Sequence, residues 1–142
     1  MIEDWNDAEY CLAAVKRDGY NLRFVKNQTP KICLEAVKRD GYALKFVKEQ
    51  TPKICLVAVK QNGLALKWVN EQTPEICLEA IKQYGLALKF VKEQTPLIIH
   101  YLKKYHISIF KKKKKKDLIT ISENEMKKFY NENPHLLLTL YL

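Results

Sequence analysis

Glycine is scarce in this chain. There are four, at 19, 41, 63 and 85, never closer than 22 residues, so no glycine-rich loop exists to cradle a phosphate. Serine occurs twice, as Ser108 and Ser122, and neither sits among the partners that a nucleophile needs. The three histidines, His100, His106 and His135, all lie at or beyond position 100. His100 and His106 are six residues apart, a poor spacing for two ligands on one helix face. No carboxylate pair recurs in a suitable constellation. No apolar run approaches the ~18 residues needed to cross a bilayer. The first residues, Met1 to Asp7, are acidic and have no apolar centre, unlike a signal or transit peptide. These absences predict a non-enzymatic chain without cofactor or metal, reduced in its thiols and cytoplasmic.

What is present is a period. The stretch Thr29 to Gln50 is 22 residues long and starts again at Thr51. Prolines fall at 30, 52, 74 and 96, and the four cysteines at 11, 33, 55 and 77. A repeat of this length predicts a stack of small units that close one another's cores. Thr29 before Pro30 reads as an N-cap followed by a proline at the first helical position. The first helix then runs to about Arg39, with Ile32, Cys33, Leu34, Ala36 and Val37 as a broad apolar stripe. Asp40-Gly41 ends it, with glycine expected in the left-handed C′ conformation. A second helix is expected from about Ala43 to Glu49, burying Ala43, Leu44, Phe46 and Val47. In the first unit Asp7 replaces the threonine, Ala8 the proline and Tyr10 the isoleucine. The fold class is therefore all-α: a solenoid of four 22-residue helix-turn-helix repeats over residues 1–96, with a C-terminal segment of mixed structure, 97–142, as cap or tail.

Columns follow from the period. Leu22, Leu44, Leu66 and Leu88 form one; Val25, Val47, Val69 and Val91 another. Phe24, Phe46, Trp68 and Phe90 form an aromatic column, read as core packing rather than as a base-stacking or cofactor surface. The cysteines read as small buried thiols. Stacked helices lie roughly 9–10 Å apart, a disulfide needs Cα atoms within about 7 Å, and a ladder does not converge on one metal. Gln28, Gln50, Gln72 and Gln94 are expected to bond backbone groups between units.

Units of this kind, in Leu34-Glu35-Ala36-Val37-Lys38-Arg39-Asp40-Gly41-Tyr42-Ala43-Leu44 and again from Leu78 to Leu88, resemble the domain-of-unknown-function family four-one-one-six of bacterial, phage and giant-virus proteins. The resemblance covers about residues 8–96 and implies short helical repeats; it lends no activity. Tyr84 departs from the usual Asp or Asn before glycine.

Net charge is +9, unevenly placed. Residues 1–96 carry 15 basic and 12 acidic side chains, and residues 97–142 carry 10 and 4. Within the repeats the basic residues fall into rows. Lys16, Lys38, Lys60, Lys82 and Lys104 share one position, and Arg23, Lys45, Lys67 and Lys89 another. The two rows offer a track for a phosphate backbone. Against this, pairs such as Lys45 with Glu49 and Glu35 with Lys38 describe an ordinary solvated helix face. The positions of Arg17 and Arg39, of Tyr20 and Tyr42, and of Ala13 and Glu35 differ between units and mark an expected contact face.

Beyond Pro96, Leu97 to Tyr105 reads as the first helix of a fifth unit. Ile107 to Phe110 and Leu118 to Ile121 are β-prone, and flank the run Lys111, Lys112, Lys113, Lys114, Lys115 and Lys116. Ser122 to Glu125 is a capping box for a helix to about 131, and His135 to Leu142 is strongly apolar. The expected function is binding without catalysis, to a protein or ribonucleoprotein target. The chain resembles small phage-type inhibitors, including anti-CRISPR proteins against the RNA-targeting (type VI) nuclease. The alternatives are an RNA-binding solenoid using the lysine columns and the lysine run, and a scaffold module.

Overall fold

A computed structural model of the chain describes residues 2–104 and Asn131. Two compact units divide the chain, Met1–Phe90 and Val91–Leu142.

The first unit is four copies of one pattern, an α-helix followed by a 3₁₀ helix. The α-helices are α1 (Ala8–Arg17), α2 (Pro30–Arg39), α3 (Pro52–Gln61) and α4 (Pro74–Gln83). The 3₁₀ helices are η1 (Gly19–Phe24), η2 (Gly41–Phe46), η3 (Gly63–Trp68) and η4 (Gly85–Phe90). Each α-helix starts as its sequence dictates. Thr29 Oγ1 accepts the Ile32 N–H at 3.3 Å and Thr51 Oγ1 the Ile54 N–H at 3.3 Å. Asp7 does the same for Tyr10 at 2.6 Å. Successive α-helices pack on one another and form one layer; successive 3₁₀ helices pack on one another and form a second. Each of α2, α3 and α4 also packs against the 3₁₀ helix of the preceding repeat. The core between the layers is Ala14, Ala36, Ala58 and Ala80 with Val15, Val37, Val59 and Ile81 from the α side, and the leucine column Leu22, Leu44, Leu66 and Leu88 from the other. This is the solenoid that the period predicts.

The second element differs from expectation. It is a six-residue 3₁₀ helix that begins at Gly41 and stops at Phe46, not an α-helix to Glu49. Asp40 explains the start. It is extended, at φ −148° and ψ 114°, and it caps two helices at once. Its N–H donates to the Ala36 carbonyl at 2.9 Å, ending α2. Its carbonyl accepts from Ala43 N–H at 2.9 Å and its carboxylate from Tyr42 N–H at 2.9 Å, starting η2. Three residues per turn fit two turns into six residues, where an α-helix could not. Among the described residues no ion pair joins Lys45 to Glu49 or Lys67 to Glu71, because the chain past Phe46 and Trp68 is no longer helical.

Glycine also plays a different part. None of Gly19, Gly41 and Gly63 is left-handed. Each instead lies against the next repeat. A Cβ on Gly41 would stand 2.4 Å from the Ala58 carbonyl oxygen and 2.9 Å from Gln61 Oε1. A Cβ on Gly19 would stand 2.5 Å from the Ala36 oxygen. The glycine and alanine columns together let neighbouring repeats close up.

The glutamines tie the turns as expected. Gln28 Nε2 donates to the Phe46 carbonyl at 2.8 Å, and Gln28 Oε1 accepts the Lys48 N–H at 3.0 Å. Gln50 repeats this with the Trp68 carbonyl and the Asn70 N–H, at 2.7 and 3.0 Å. The first repeat carries closing contacts of its own. Asn21 Nδ2 donates to the Ala14 carbonyl at 3.0 Å. Trp5 packs on Tyr10 and Phe24, both at 5.1 Å between ring centres.

In the second unit, α5 (Pro96–Lys104) is the first helix expected of a fifth repeat. Ile99 N–H donates to the Thr95 carbonyl at 3.0 Å, and Leu97, Ile98 and Ile99 are buried. Gln94 Oε1 is buried without a partner among the described residues. Ile99 stands at the cysteine position of that repeat and has no S–H to donate. Asn131 is helical and exposed. The β-prone runs, the lysine run Lys111 to Lys116 and the apolar end His135 to Leu142 lie outside the described residues.

Candidate binding face

The two basic rows lie in different layers. Lys16, Lys38, Lys60 and Lys82 are on α1 to α4, and Arg23, Lys45, Lys67 and Lys89 on η1 to η4. The α row is partly neutralised. Lys38 Nζ lies 3.2 Å from Glu35 and Lys82 Nζ 3.4 Å from Glu79. Ala13 and Val57 hold the equivalent places beside Lys16 and Lys60, which are exposed. Lys104 ends α5, and its side chain lies outside the described residues.

Arg39 is held by the stack. Its Nε donates to the Arg17 carbonyl at 3.1 Å. At the same repeat position Gln61 reaches back in two ways: Oε1 accepts the Gly41 N–H at 2.6 Å and Nε2 approaches the Arg39 carbonyl at 3.5 Å. Gln83 accepts the Gly63 N–H in the same manner. The change from Arg to Gln along this column therefore follows a bond between repeats.

The η row is arranged differently, and it corrects the reading of the aromatic column. Phe46, Trp68 and Phe90 are only half-buried, and Phe24 is 44% exposed. Each ring carries the cation that precedes it in sequence. Arg23 Cζ lies 4.5 Å from the Phe24 ring centre, Lys45 Nζ 4.8 Å from Phe46, Lys67 Nζ 5.0 Å from Trp68 and Lys89 Nζ 4.9 Å from Phe90. The 3₁₀ geometry is the cause. Leu44 and Val47 are three apart and both buried, which turns the intervening Lys45 and Phe46 outward. Lys45 also lies 5.7 Å from the Tyr20 ring and 5.8 Å from Trp68, so its ammonium sits among three rings. Tyr20 meets Phe46 edge-on at 5.9 Å. Burial, then the Asp40 carboxylate, pushes the Tyr20 hydroxyl above its ordinary pKa, so it stays neutral. Trp5 continues the row beyond Phe24.

The cysteines are buried and none is in a disulfide among the described residues. Cys33 and Cys55 lend their S–H to Gln28 and Gln50 Oε1, at 3.6 and 3.5 Å, and Cys11 to the Trp5 carbonyl at 3.4 Å. Burial raises the thiol pKa at Cys33 and Cys55. Among the described residues no three His, Cys, Asp or Glu side chains converge on a metal position. A groove of about 410 Å³ between the turn that joins the first and second repeats and the turn that joins the second and third is lined by Gln28, Cys33, Lys48, Glu49 and Ile54, among others. Its two lysines, Lys26 and Lys48, and its glutamate, Glu49, carry charges of both signs. No helix among the described residues is long and apolar enough to cross a membrane.

These features define a helical-repeat protein with one ornamented face: a stack of α and 3₁₀ layers whose 3₁₀ side carries a cation on a ring in every unit. Residues 29–73 and, in overlapping placement, 51–95 match the family model described as Domain of unknown function (DUF4116). The repeats are thus similar to that family over the stretches from Leu34 to Leu44 and from Leu78 to Leu88. No curated protein and no solved structure matches the chain.

Proposed function

We propose that the chain is a non-catalytic binding module and that the η row is its contact ridge. One observation carries this. Phe24 is exposed and Phe46, Trp68 and Phe90 are only partly buried, each beside a cation. A ring that served only the core would be buried, since each Å² of apolar surface left in water forgoes about 25 cal/mol. A partner that covers the ridge recovers that area, and rings with neighbouring cations are the residue types on which binding energy concentrates.

The test is a capture experiment with the full chain. Three proteins are compared: the wild type, a ridge variant (Lys45→Glu, Lys67→Glu, Lys89→Glu) and an α-layer variant (Lys16→Glu, Lys60→Glu). Each is run with and without nuclease. Partners held by the wild type should be lost from the ridge variant and kept by the α-layer variant. A ridge variant that retains every partner would refute the proposal. Recovery of an RNA-guided nuclease would extend it to the inhibitory role that the phage-type resemblance implies.

A further inference from the structure

We infer that the occupant of the ridge is single-stranded nucleic acid, with bases on the rings and phosphates on the cations; this deepens the binding-module reading and rests on it.

Charge is the first ground. The four 3₁₀ helices contain Arg23, Lys45, Lys67 and Lys89 and no acidic residue, while Glu9, Glu35, Glu75 and Glu79 all lie on the α-helices. Asp18 and Asp40 cap the first two 3₁₀ helices, while Asn62 and Tyr84 hold that place in the third and fourth repeats, so the ridge is most complementary to a polyanion at η3 and η4.

Regularity is the second. The ring position changes from Phe to Trp and back but stays aromatic, and the cation position changes from Arg to Lys but stays cationic. The neighbouring column drifts from Tyr20 and Tyr42 to Leu64 and Leu86. A ligand that offers the same two groups at every step, a π face and a negative charge, asks for constancy in those two columns alone. Single-stranded nucleic acid is such a ligand, because every base has a stacking face. An acidic peptide would need the cations but not a ring beside each.

Geometry is the third. The cations already lie over the rings at 4.5–5.0 Å. A phosphate that draws an ammonium aside uncovers the face on which its base can stack. Repeats that stack about 9–10 Å apart are too widely spaced for a continuous stack rising about 3.4 Å per nucleotide. The bases are therefore splayed, one to a repeat, as other helical-repeat proteins take them. A duplex hides its base faces and is excluded.

The experiment measures fluorescence anisotropy of labelled, unstructured RNA of about twelve nucleotides. A duplex and an acidic peptide of similar charge are the competitors. The full chain is used with Lys111 to Lys116 changed to Gln, so that the lysine run contributes nothing. The single strand should bind and the duplex and peptide should compete poorly. Phe46→Leu and Trp68→Leu should each weaken binding about five- to 150-fold. Lys45→Gln and Lys67→Gln, both at exposed positions, should each reduce the slope of log K against log salt by about 0.7. Loss of all binding when the lysine run is neutralised overturns the inference, as does indifference to the ring variants or equal competition by the peptide. If the ridge variant of the capture experiment loses a nuclease-resistant protein while the single strand fails to bind, the inference falls and the binding-module reading stands. If the ridge variants lose nothing in either assay, both fall.

Discussion

Changing Gly41 to alanine adds one methyl group at the tightest point between two repeats. Its Cβ would lie 2.4 Å from the Ala58 carbonyl oxygen and 3.0 Å from Asn62 Cβ. The backbone oxygen cannot rotate aside, so α3 must move away from η2. Overpacking of this kind costs about 1–3 kcal/mol. The shift also stretches the bond from Gly41 N–H to Gln61 Oε1, 2.6 Å long, for about 0.5–1.5 kcal/mol more. Alanine stiffens the unfolded chain and returns about 0.4–1 kcal/mol. The net loss is therefore about 2 kcal/mol, read from urea unfolding followed by circular dichroism. A second substitution separates this account from a left-handed helix cap. Asparagine suits a left-handed cap better than alanine does, whereas a close contact rejects any Cβ. Gly41→Asn should thus be at least as destabilising as Gly41→Ala. An alanine variant within about 0.5 kcal/mol of wild type, or an asparagine variant clearly better than the alanine one, would refute the contact reasoning.

Three further outcomes follow from other parts of the stack. Gln50→Ala leaves the Trp68 carbonyl, the Asn70 N–H and the Cys55 thiol without their common partner; stability should fall by about 1–3 kcal/mol, and the Asn70 amide should exchange faster, with unchanged exchange counting against the tie. Trp68 Nε1 is buried and has no hydrogen-bond partner among the described residues, so Trp68→Phe, which restores the residue of the other repeats, should leave stability level or raise it by up to about 1 kcal/mol; a fall larger than that would mean the indole N–H is bonded. The Cys33 and Cys55 thiols are raised by burial above their ordinary value of 9.0, so the folded chain keeps protons that the unfolded chain sheds above that pH. Their contribution is intact below about pH 9 and declines as pH climbs through the raised values, by up to about 1.4 kcal/mol per pH unit per thiol. Urea midpoints should show that decline, and the Cys33→Ala, Cys55→Ala pair should flatten it.

Much of the fold was legible because its signals are local. Thr29-Pro30 starts a helix by itself. The 22-residue spacing of Pro, Gly and Cys needs no three-dimensional information to announce a stack. Even the glutamine ties could be expected, since a polar residue repeated between apolar columns has to satisfy something.

The row of rings and cations was not legible in the same way. Helical periodicity placed Phe46 with Leu44 and Val47 as one apolar group, and the aromatic column went with them into the core. The signal that could have found it was present in the sequence: a cation immediately before the ring in every unit, with no acid in the six residues around them. Reading it required knowing that the second element winds as a 3₁₀ helix, with three residues per turn instead of 3.6. That change of pitch is what turns Lys45 and Phe46 outward together.

The sequence by itself determined the repeat, the helix starts, the buried leucine, valine and alanine columns and the linking glutamines, because each rests on spacing or on a bond between near neighbours. The tertiary structure decided why glycine is required and which face is ornamented. Gly41 answers to Ala58, a residue in the next repeat, and a contact across 17 positions has no local trace. The outward turn of the aromatic row depends on how far apart two layers lie and on how tightly the second one winds, and both are set by packing between units.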